Sequence, residues 1–294
     1  MARGPRDMPF AIRTARIVQP RGRCLRTIAV ISRKGGSGKT TTSVNLAAAL
    51  AERGEPVLVI DLDPQGSATE ALGARPAGRE AFDVMIGTRE LARSATPTRF
   101  RDLWVVPSSP WLATAEQTLL GDLTVAVARA IQRLDRRWAF AIVDCPPSMT
   151  YISVGALTGV REVVIPVETH AIAVTGVAPV ISEVVRLRTS LNPHLDSVQI
   201  VPSRTNRTRH SRAIIDELTQ SYRELVTTTR IRESIRVPEA WAARMPVVAY
   251  DPTSGVAGDF RALAREIVDP GRAADDGPAG PWWRDLLPAV GAGG

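Results

Sequence analysis

With 294 residues, 44% of them hydrophobic and 23% charged, the chain has the apolar content of an ordinary folded core, which excludes broad disorder. No run approaches the roughly 18 apolar residues of a membrane span, and no continuous apolar stretch reads as a secretory signal. Cys24 and Cys145 lack metal-ligand spacing, so a reducing cytoplasm is the expected setting. The net charge of +7 is unevenly placed: Arg3, Arg6, Arg13, Arg16, Arg21, Arg23 and Arg26 face Asp7 alone. Residues 1–25 therefore read as a basic arm, expected to be flexible. It serves either a polyanion such as nucleic acid or no partner at all. An arm without serine disfavours an organelle transit peptide.

Thr27 to Ile31 is apolar and β-branched, a predicted strand, while Val44, Leu46, Ala47, Leu50 and Ala51 recur at helical spacing over Ser43 to Arg53. Between them runs Ser32-Arg33-Lys34-Gly35-Gly36-Ser37-Gly38-Lys39-Thr40-Thr41-Thr42. Strand, glycine-rich loop and helix in that order form the context of a phosphate-binding loop. Glycines let backbone N–H groups turn around a polyphosphate, and the helix N-terminus adds its positive dipole end. Gly35, Gly36, Ser37, Gly38 and Thr41 then line the cradle. Lys39 reaches the β/γ-phosphates and the Thr40 hydroxyl ligates Mg²⁺. Arg33 stands where the strict pattern has glycine. Of 37 lysines and arginines, only Lys34 and Lys39 are lysine, which argues for a compact ammonium on a flexible stem at both positions. The bland alternative is a glycine-rich turn with chance lysines.

Gly54 is a helix stop. Pro56 to Ile60 reads as a buried parallel strand ending in Asp61-Leu62-Asp63-Pro64-Gln65-Gly66, two carboxylates at the sheet edge where ligands bind. Helical stretches are predicted near 68–73 and 80–93, a strand over Leu103 to Pro107, and helices over 110–120 and 122–136. The strand Trp138 to Asp144 is closed by Cys145-Pro146-Pro147-Ser148. Then follow a strand from Glu162 to Val167 ending at Glu168-Thr169-His170, a helix over 173–190 and a strand from Ser197 to Val201. Ser203 to Arg212 holds Arg204, Arg207, Arg209 and Arg212 and no acid. A helix at 211–225, a short strand near 226–231, a strand or extended segment over Met245 to Tyr250 and a helix over Gly258 to Val268 complete the pattern. Residues 269–294 are rich in Gly, Pro and Ala and read as a loose tail. The alternation over 26–268 predicts an α/β fold: one domain with a doubly wound, mainly parallel sheet flanked by helices.

Transfer of a γ-phosphoryl group needs charge neutralisation, Mg²⁺ and an oriented nucleophile. Asp144, closing an apolar strand, is the candidate to hold the metal directly or through its water shell. Asp63 is the candidate to orient or deprotonate the attacking water. Either acid could instead be a cap or turn residue. His170 and His194 show no spacing that suggests a metal site or a triad, and Cys145 lacks partners for cluster ligation.

Lys34 to Thr41, Asp61 to Gly66 and Val143 to Ser148 resemble the ParA/Soj family of deviant Walker A partition ATPases, in the wider group that includes MinD and the nitrogenase iron protein. Ile235 to Ala240 and Met245 to Asp251 are similar to that family's C-terminal nucleotide-proximal segment. The resemblance spans about residues 26–268 and implies an ATP- and Mg²⁺-dependent ATPase with a P-loop NTPase-like fold. It implies that Lys34 reaches a second subunit's nucleotide in an ATP-sandwiched homodimer, that Asp63 is linked to hydrolysis and that Asp144 supports Mg²⁺. It further implies non-specific DNA binding by the dimer, release on hydrolysis stimulated by a ParB-like centromere-binding protein, and a cytoplasmic, nucleoid-associated location.

For DNA the candidates are Arg204, Arg207, Arg209, Arg212 and Arg236, since phosphate contacts need cations along one surface. A solvated arginine face is the alternative. Asn206 and Pro238 are candidates for the adenine. With no helix-turn-helix domain ahead of the loop, specific operator binding is not expected. Pro281-Trp282-Trp283-Arg284-Asp285-Leu286-Leu287 sits where a MinD-like protein would carry a membrane-binding helix. Arg284 is the single basic residue there and Pro288 cuts the helix short, so membrane binding is not expected. A MinD-like membrane switch and a P-loop kinase or scaffold stand as the rival readings.

Overall fold

The computed structural model describes residues 24–75, 80–169 and 174–269. β1 (Arg26–Val30) leads through the glycine loop into α1 (Lys39–Glu52), and β2 (Val57–Asp61) leads into α2 (Ser67–Ala71) and α3 (Glu80–Met85). A 3₁₀ turn at Leu91–Ser94 precedes β3 (Thr96–Pro97) and β4 (Leu103–Val106). Next come α4 (Trp111–Thr118), α5 (Leu120–Gln132), β5 (Phe140–Asp144), α6 (Tyr151–Gly159), β6 (Glu162–Glu168) and α7 (Val174–Ser190). The chain continues through β7 (Ser197–Ser203), α8 (Arg209–Tyr222), α9 (Arg236–Ala242), α10 (Val247–Tyr250) and α11 (Gly255–Val268).

The strands form one sheet in the order β3-β4-β2-β5-β1-β6-β7. Every neighbouring pair is parallel except the edge pair β3 and β4. The chain leaves β1 toward β2 on one side and later adds β6 and β7 on the other. The C-terminal ends of β1, β5 and β2 therefore border a topological switch point, where open α/β sheets bind ligands. β2 and β5 are buried along their whole length, which is why they read as continuous apolar runs.

Each face of the sheet carries its own apolar layer. On one, Leu46 and Leu50 of α1 meet Phe260 and Leu263 of α11; on the other, Leu123, Val127 and Ile131 of α5 meet Leu157 of α6 and Val180 of α7. Each such aliphatic side chain, fully buried, contributes about 1.5–3 kcal/mol. α5 and α6 touch backbone to backbone because Gly155 has no Cβ: one built there would stand 2.7 Å from the Thr124 carbonyl oxygen.

Two predicted strands are absent from the described residues. Near 226–231 the chain makes isolated bridges, Ile200 with Val226 and Thr205 with Arg232. The amides of Thr228 and Thr229 donate instead to the Glu266 carboxylate, at 2.7 and 2.9 Å, which interrupts the ladder. Met245 to Tyr250 forms the single turn α10, because Asn45 Oδ1 of α1 accepts from the Val248 amide at 3.3 Å and both valines sink into the core. The predicted helix over 80–93 stops at Met85, with Gly87 in the left-handed region just beyond it. β3, α6 and α9 were not foreseen. Residues 1–23, His170 and the Trp282-Trp283 segment lie outside the described residues.

Candidate active site

β5 lies between β1 and β2, pairing Asp144 with Val30 on one side and with Asp61 on the other. Three stretches far apart in the chain thus emerge at one sheet edge: the glycine loop, the turn carrying Asp63, and Asp144. Gly36 and Gly38 adopt φ of +77° and +88°, a region open to glycine and costly for other residues. No atom lies within 4 Å of a Cβ built at Gly35, Gly36 or Gly38, so the loop borders open space on that side. Ser37 is 2% exposed and its Oγ has no partner among the described residues, although an unsatisfied buried hydroxyl costs about 1–3 kcal/mol. A phosphate oxygen would satisfy it, as it would the amides that the start of α1 leaves free. Lys39 is buried behind the loop, its Nζ donating to the Lys34 carbonyl at 3.4 Å. Burial holds its ammonium pKa below the usual lysine value, against the pull of Asp144 and Asp63.

Asp144 is wholly buried and accepts from Thr40 Oγ1 at 2.8 Å and from Ser43 Oγ at 2.7 Å. Burial raises its carboxyl pKa and the two hydroxyls oppose the rise. Asp61, equally buried, is pushed up to about 8 by desolvation and then by the charge of Asp144. On Asp144 the bonds from Ser43 and Thr40, and then the charge of Lys39, oppose the effect of burial. Hydroxyl and carboxylate oxygens are the donors a hard cation requires, so Thr40 and Asp144 fit Mg²⁺.

Asp61 also braces the turn that carries Asp63. It accepts from Thr69 N and Thr69 Oγ1, each at 2.7 Å, and from Asp63 N at 3.2 Å. Thr69 Oγ1 in turn accepts from Ser108 N at 2.9 Å, and Ser108 Oγ donates to the Asp63 carbonyl at 2.5 Å. Asp63 is thereby held from two sides, while its own Oδ1 accepts from Gln65 N at 3.0 Å.

A cleft of about 420 Å³ opens from the loop, walled by Gly36, Gly38, Thr41, Arg204, Pro238 and Phe260 among others. Pro238 lines this cleft and Asn206 does not; the Asn206 Oδ1 accepts from Thr208 N at 3.1 Å and Thr208 Oγ1 at 2.6 Å, ordering the turn into α8. A larger cleft, about 560 Å³, lies at the opposite end of α1 beside Arg53 and Asp102, remote from the loop.

Lys34 is not among the residues lining the cleft at its own loop; its Nζ pairs with Glu168 at 3.2 Å. The five candidate arginines divide into two sets. Arg204 is held by Glu168 and Glu233, at 2.6 and 3.1 Å, and Arg236 by Glu239 and Asp251, at 2.8 and 3.2 Å. Arg207, Arg209 and Arg212 are exposed and have no acidic partner among the described residues. Sequence reasoning missed Ser43, Thr69, Ser108 and Glu168 as parts of the site. Only Glu168 carried a signal, as an acid closing an apolar strand.

Comparison with known proteins adds to this geometry. A sequence model of an AAA domain family matches residues 25–197. The chain is 34% identical over 246 residues to the sporulation initiation inhibitor protein Soj of Bacillus subtilis, spanning 82% of this chain and 97% of that protein. It is 32% identical over 251 residues to the chromosome partitioning protein ParA of Caulobacter vibrioides, spanning 83% and 94%. Among solved structures, cobyrinic acid a,c-diamide synthase from Mycobacterium smegmatis with bound ATP analog and magnesium superposes with a TM-score of 0.74 at 28% identity, covering 87% of this chain and all of that one. No helix among the described residues is long and apolar enough to cross a membrane.

Proposed function

The chain belongs to the ParA/Soj family of P-loop ATPases, and from that premise we propose that it is a DNA-partition ATPase that segregates a plasmid or chromosome. ATP and Mg²⁺ are its cofactors. The ATP-bound form is a sandwich homodimer that binds DNA without sequence preference. A ParB-like partner stimulates hydrolysis and so releases the DNA. The reading locates its work in the cytoplasm, on the nucleoid.

One observation carries the reading: Thr40 and Asp144 meet at 2.8 Å beside a glycine loop whose buried Ser37 hydroxyl has no partner among the described residues. Lys39 and the loop amides would bind the β- and γ-phosphates; Thr40 and Asp144 would hold Mg²⁺. When bound, Mg²⁺ neutralises charge that develops on the transferring phosphoryl group. Asp63, fixed through Asp61 and Ser108, orients the attacking water and can take its proton. Lys34, at the exposed head of the loop and paired there with Glu168, serves the nucleotide of a second subunit. Arg207, Arg209 and Arg212 offer uncompensated charge to DNA phosphates.

Experiments on hydrolysis, DNA binding and assembly test this. ATP hydrolysis should vanish in Lys39→Ala, and an unaltered rate would sink the assignment of the loop. A DNA shift assay with ATP, ADP or no nucleotide, repeated over salt, should show binding that needs ATP, weakens with salt and ignores sequence. Binding to anionic vesicles in place of DNA, or phosphate transfer to an added acceptor, would favour the membrane-switch or kinase readings. In Asp63→Ala the ATP-bound dimer should persist.

A further inference from the structure

Glu168 closes β6, the strand between β1, which feeds the glycine loop, and β7, which feeds Arg204. Its side chain is 11% exposed and serves two cations at once: Lys34 Nζ at 3.2 Å on Oε2 and Arg204 Nη1 at 2.6 Å on Oε1. Arg204 reaches on with Nη2 to Glu233 at 3.1 Å, a residue of the cleft wall. Arg204 also sits at φ +51°, a conformation unfavourable for a side chain of its size, so the backbone is held where this bridge needs it.

A carboxylate this nearly buried is costly to strip of its counter-ion. Lys34 could therefore leave Glu168 only if a second cation stayed behind. Arg204 supplies such a cation. The same engagement makes Arg204 a poor phosphate ligand, because its charge is spent on two acids.

We propose that Glu168 is a positioning residue that holds Lys34 within its own subunit, and that Arg204 is the stand-by cation that lets Lys34 depart. The inference rests on the reading that Lys34 serves a second subunit's nucleotide. Charge arithmetic sets the direction of each effect. Removing the Glu168 charge frees Lys34 and favours the dimer. Removing Arg204 leaves Lys34 as the principal cation on Glu168, and the dimer is disfavoured. A half-exposed ion pair is worth at most about fivefold in an equilibrium constant, which bounds both shifts.

The test is analytical ultracentrifugation of the full chain with Mg²⁺ and saturating non-hydrolysable ATP analogue, over a range of protein concentration. Glu168→Gln should lower the dimerisation midpoint and Arg204→Ala should raise it, each by about two- to fivefold. In the double variant the Arg204→Ala effect should disappear, a cancellation that a merely structural role would not produce. Midpoints that stay put, or that move in the same direction in both single variants, overturn the inference. Wild-type chain that stays monomeric with the analogue defeats the sandwich-dimer reading instead. If Glu168→Gln fails to melt cooperatively, the half-exposed Arg204→Ala decides alone: a raised midpoint supports the proposal and an unchanged or lowered one refutes it. In DNA binding by the analogue-bound dimer, Arg204→Ala should leave the salt slope at its wild-type value; a shallower slope would make Arg204 a phosphate contact and refute its stand-by role.

Discussion

Replacing Ser43 by alanine tests the carboxylate proposed to support Mg²⁺ without touching it. Ser43 is wholly buried, and its hydroxyl donates to Asp144 Oδ1 at 2.7 Å. Without that donor, Oδ1 loses one of the two hydroxyl bonds that hold the Asp144 pKa down. A hydrogen bond to a charged group is worth about 1.5–3 kcal/mol, and one pKa unit about 1.4 kcal/mol. The same bond to the protonated form is worth about 1 kcal/mol, so the difference, about 0.5–2 kcal/mol, should raise the Asp144 pKa further by roughly half a unit to one and a half units. Its folded-state pKa already exceeds the unfolded one, so the folded chain binds the extra proton and stability is lost as pH rises through the folded value. The cost of Ser43→Ala should accordingly be about 1 kcal/mol near pH 5, where Asp144 is protonated, and about 1.5–3 kcal/mol near pH 8, where it is ionised. Urea unfolding at the two pH values measures this difference. The acid limb of kcat/KM for ATP hydrolysis should move up by about half a unit to one and a half units. An equal stability cost at both pH values, together with an unmoved acid limb, would refute the reasoning.

Asp61 makes the nucleotide-free chain lose stability as pH climbs from about 4, where an unfolded aspartate ionises, toward 8, where the folded one does; denaturant titrations should show that slope flattened in Asp61→Asn. Gly155→Ala forces a Cβ to within 2.7 Å of a backbone oxygen and should cost about 1–3 kcal/mol, read calorimetrically as a melting temperature lowered by roughly 2–12 °C. Gly258→Ala, exposed within α11 with nothing within 4 Å, should instead stabilise by about 0.5–1 kcal/mol. Arg207→Ala should weaken DNA binding equally across sequences and make the slope of log K against log salt shallower by about 0.9; an unchanged slope would remove Arg207 from the contact surface.

Much of the site was legible before any tertiary contact was known, because it is written in local grammar. Glycines spaced between a β-branched run and an amphipathic run announce a loop that must adopt positive φ, and Gly36 and Gly38 do. The two lysines of an otherwise arginine-based chain both fall in that loop. Acids that close apolar strands come together at one edge of a parallel sheet, as Asp61 and Asp144 do. Short apolar runs were less legible: Met245 to Tyr250 suits a strand or a helical turn equally well by periodicity, and the bond from Val248 to Asn45, 203 positions away, chose the turn.

What tertiary structure alone decided is which side chains meet. Nothing in the order of residues says that β5 inserts between β1 and β2, yet that insertion brings Asp144 to Thr40 and Ser43 across more than 100 residues. The placement of β6 beside β1 likewise turns Glu168 into the counter-ion of Lys34. It divides the arginines as well, compensating Arg204 and leaving Arg207, Arg209 and Arg212 exposed without acidic partners among the described residues. Backbone conformation answers to neighbours in the chain, whereas the charge state and availability of a side chain answer to neighbours in space. The sequence by itself therefore determined the phosphate loop, and only the fold determined how its two lysines are held.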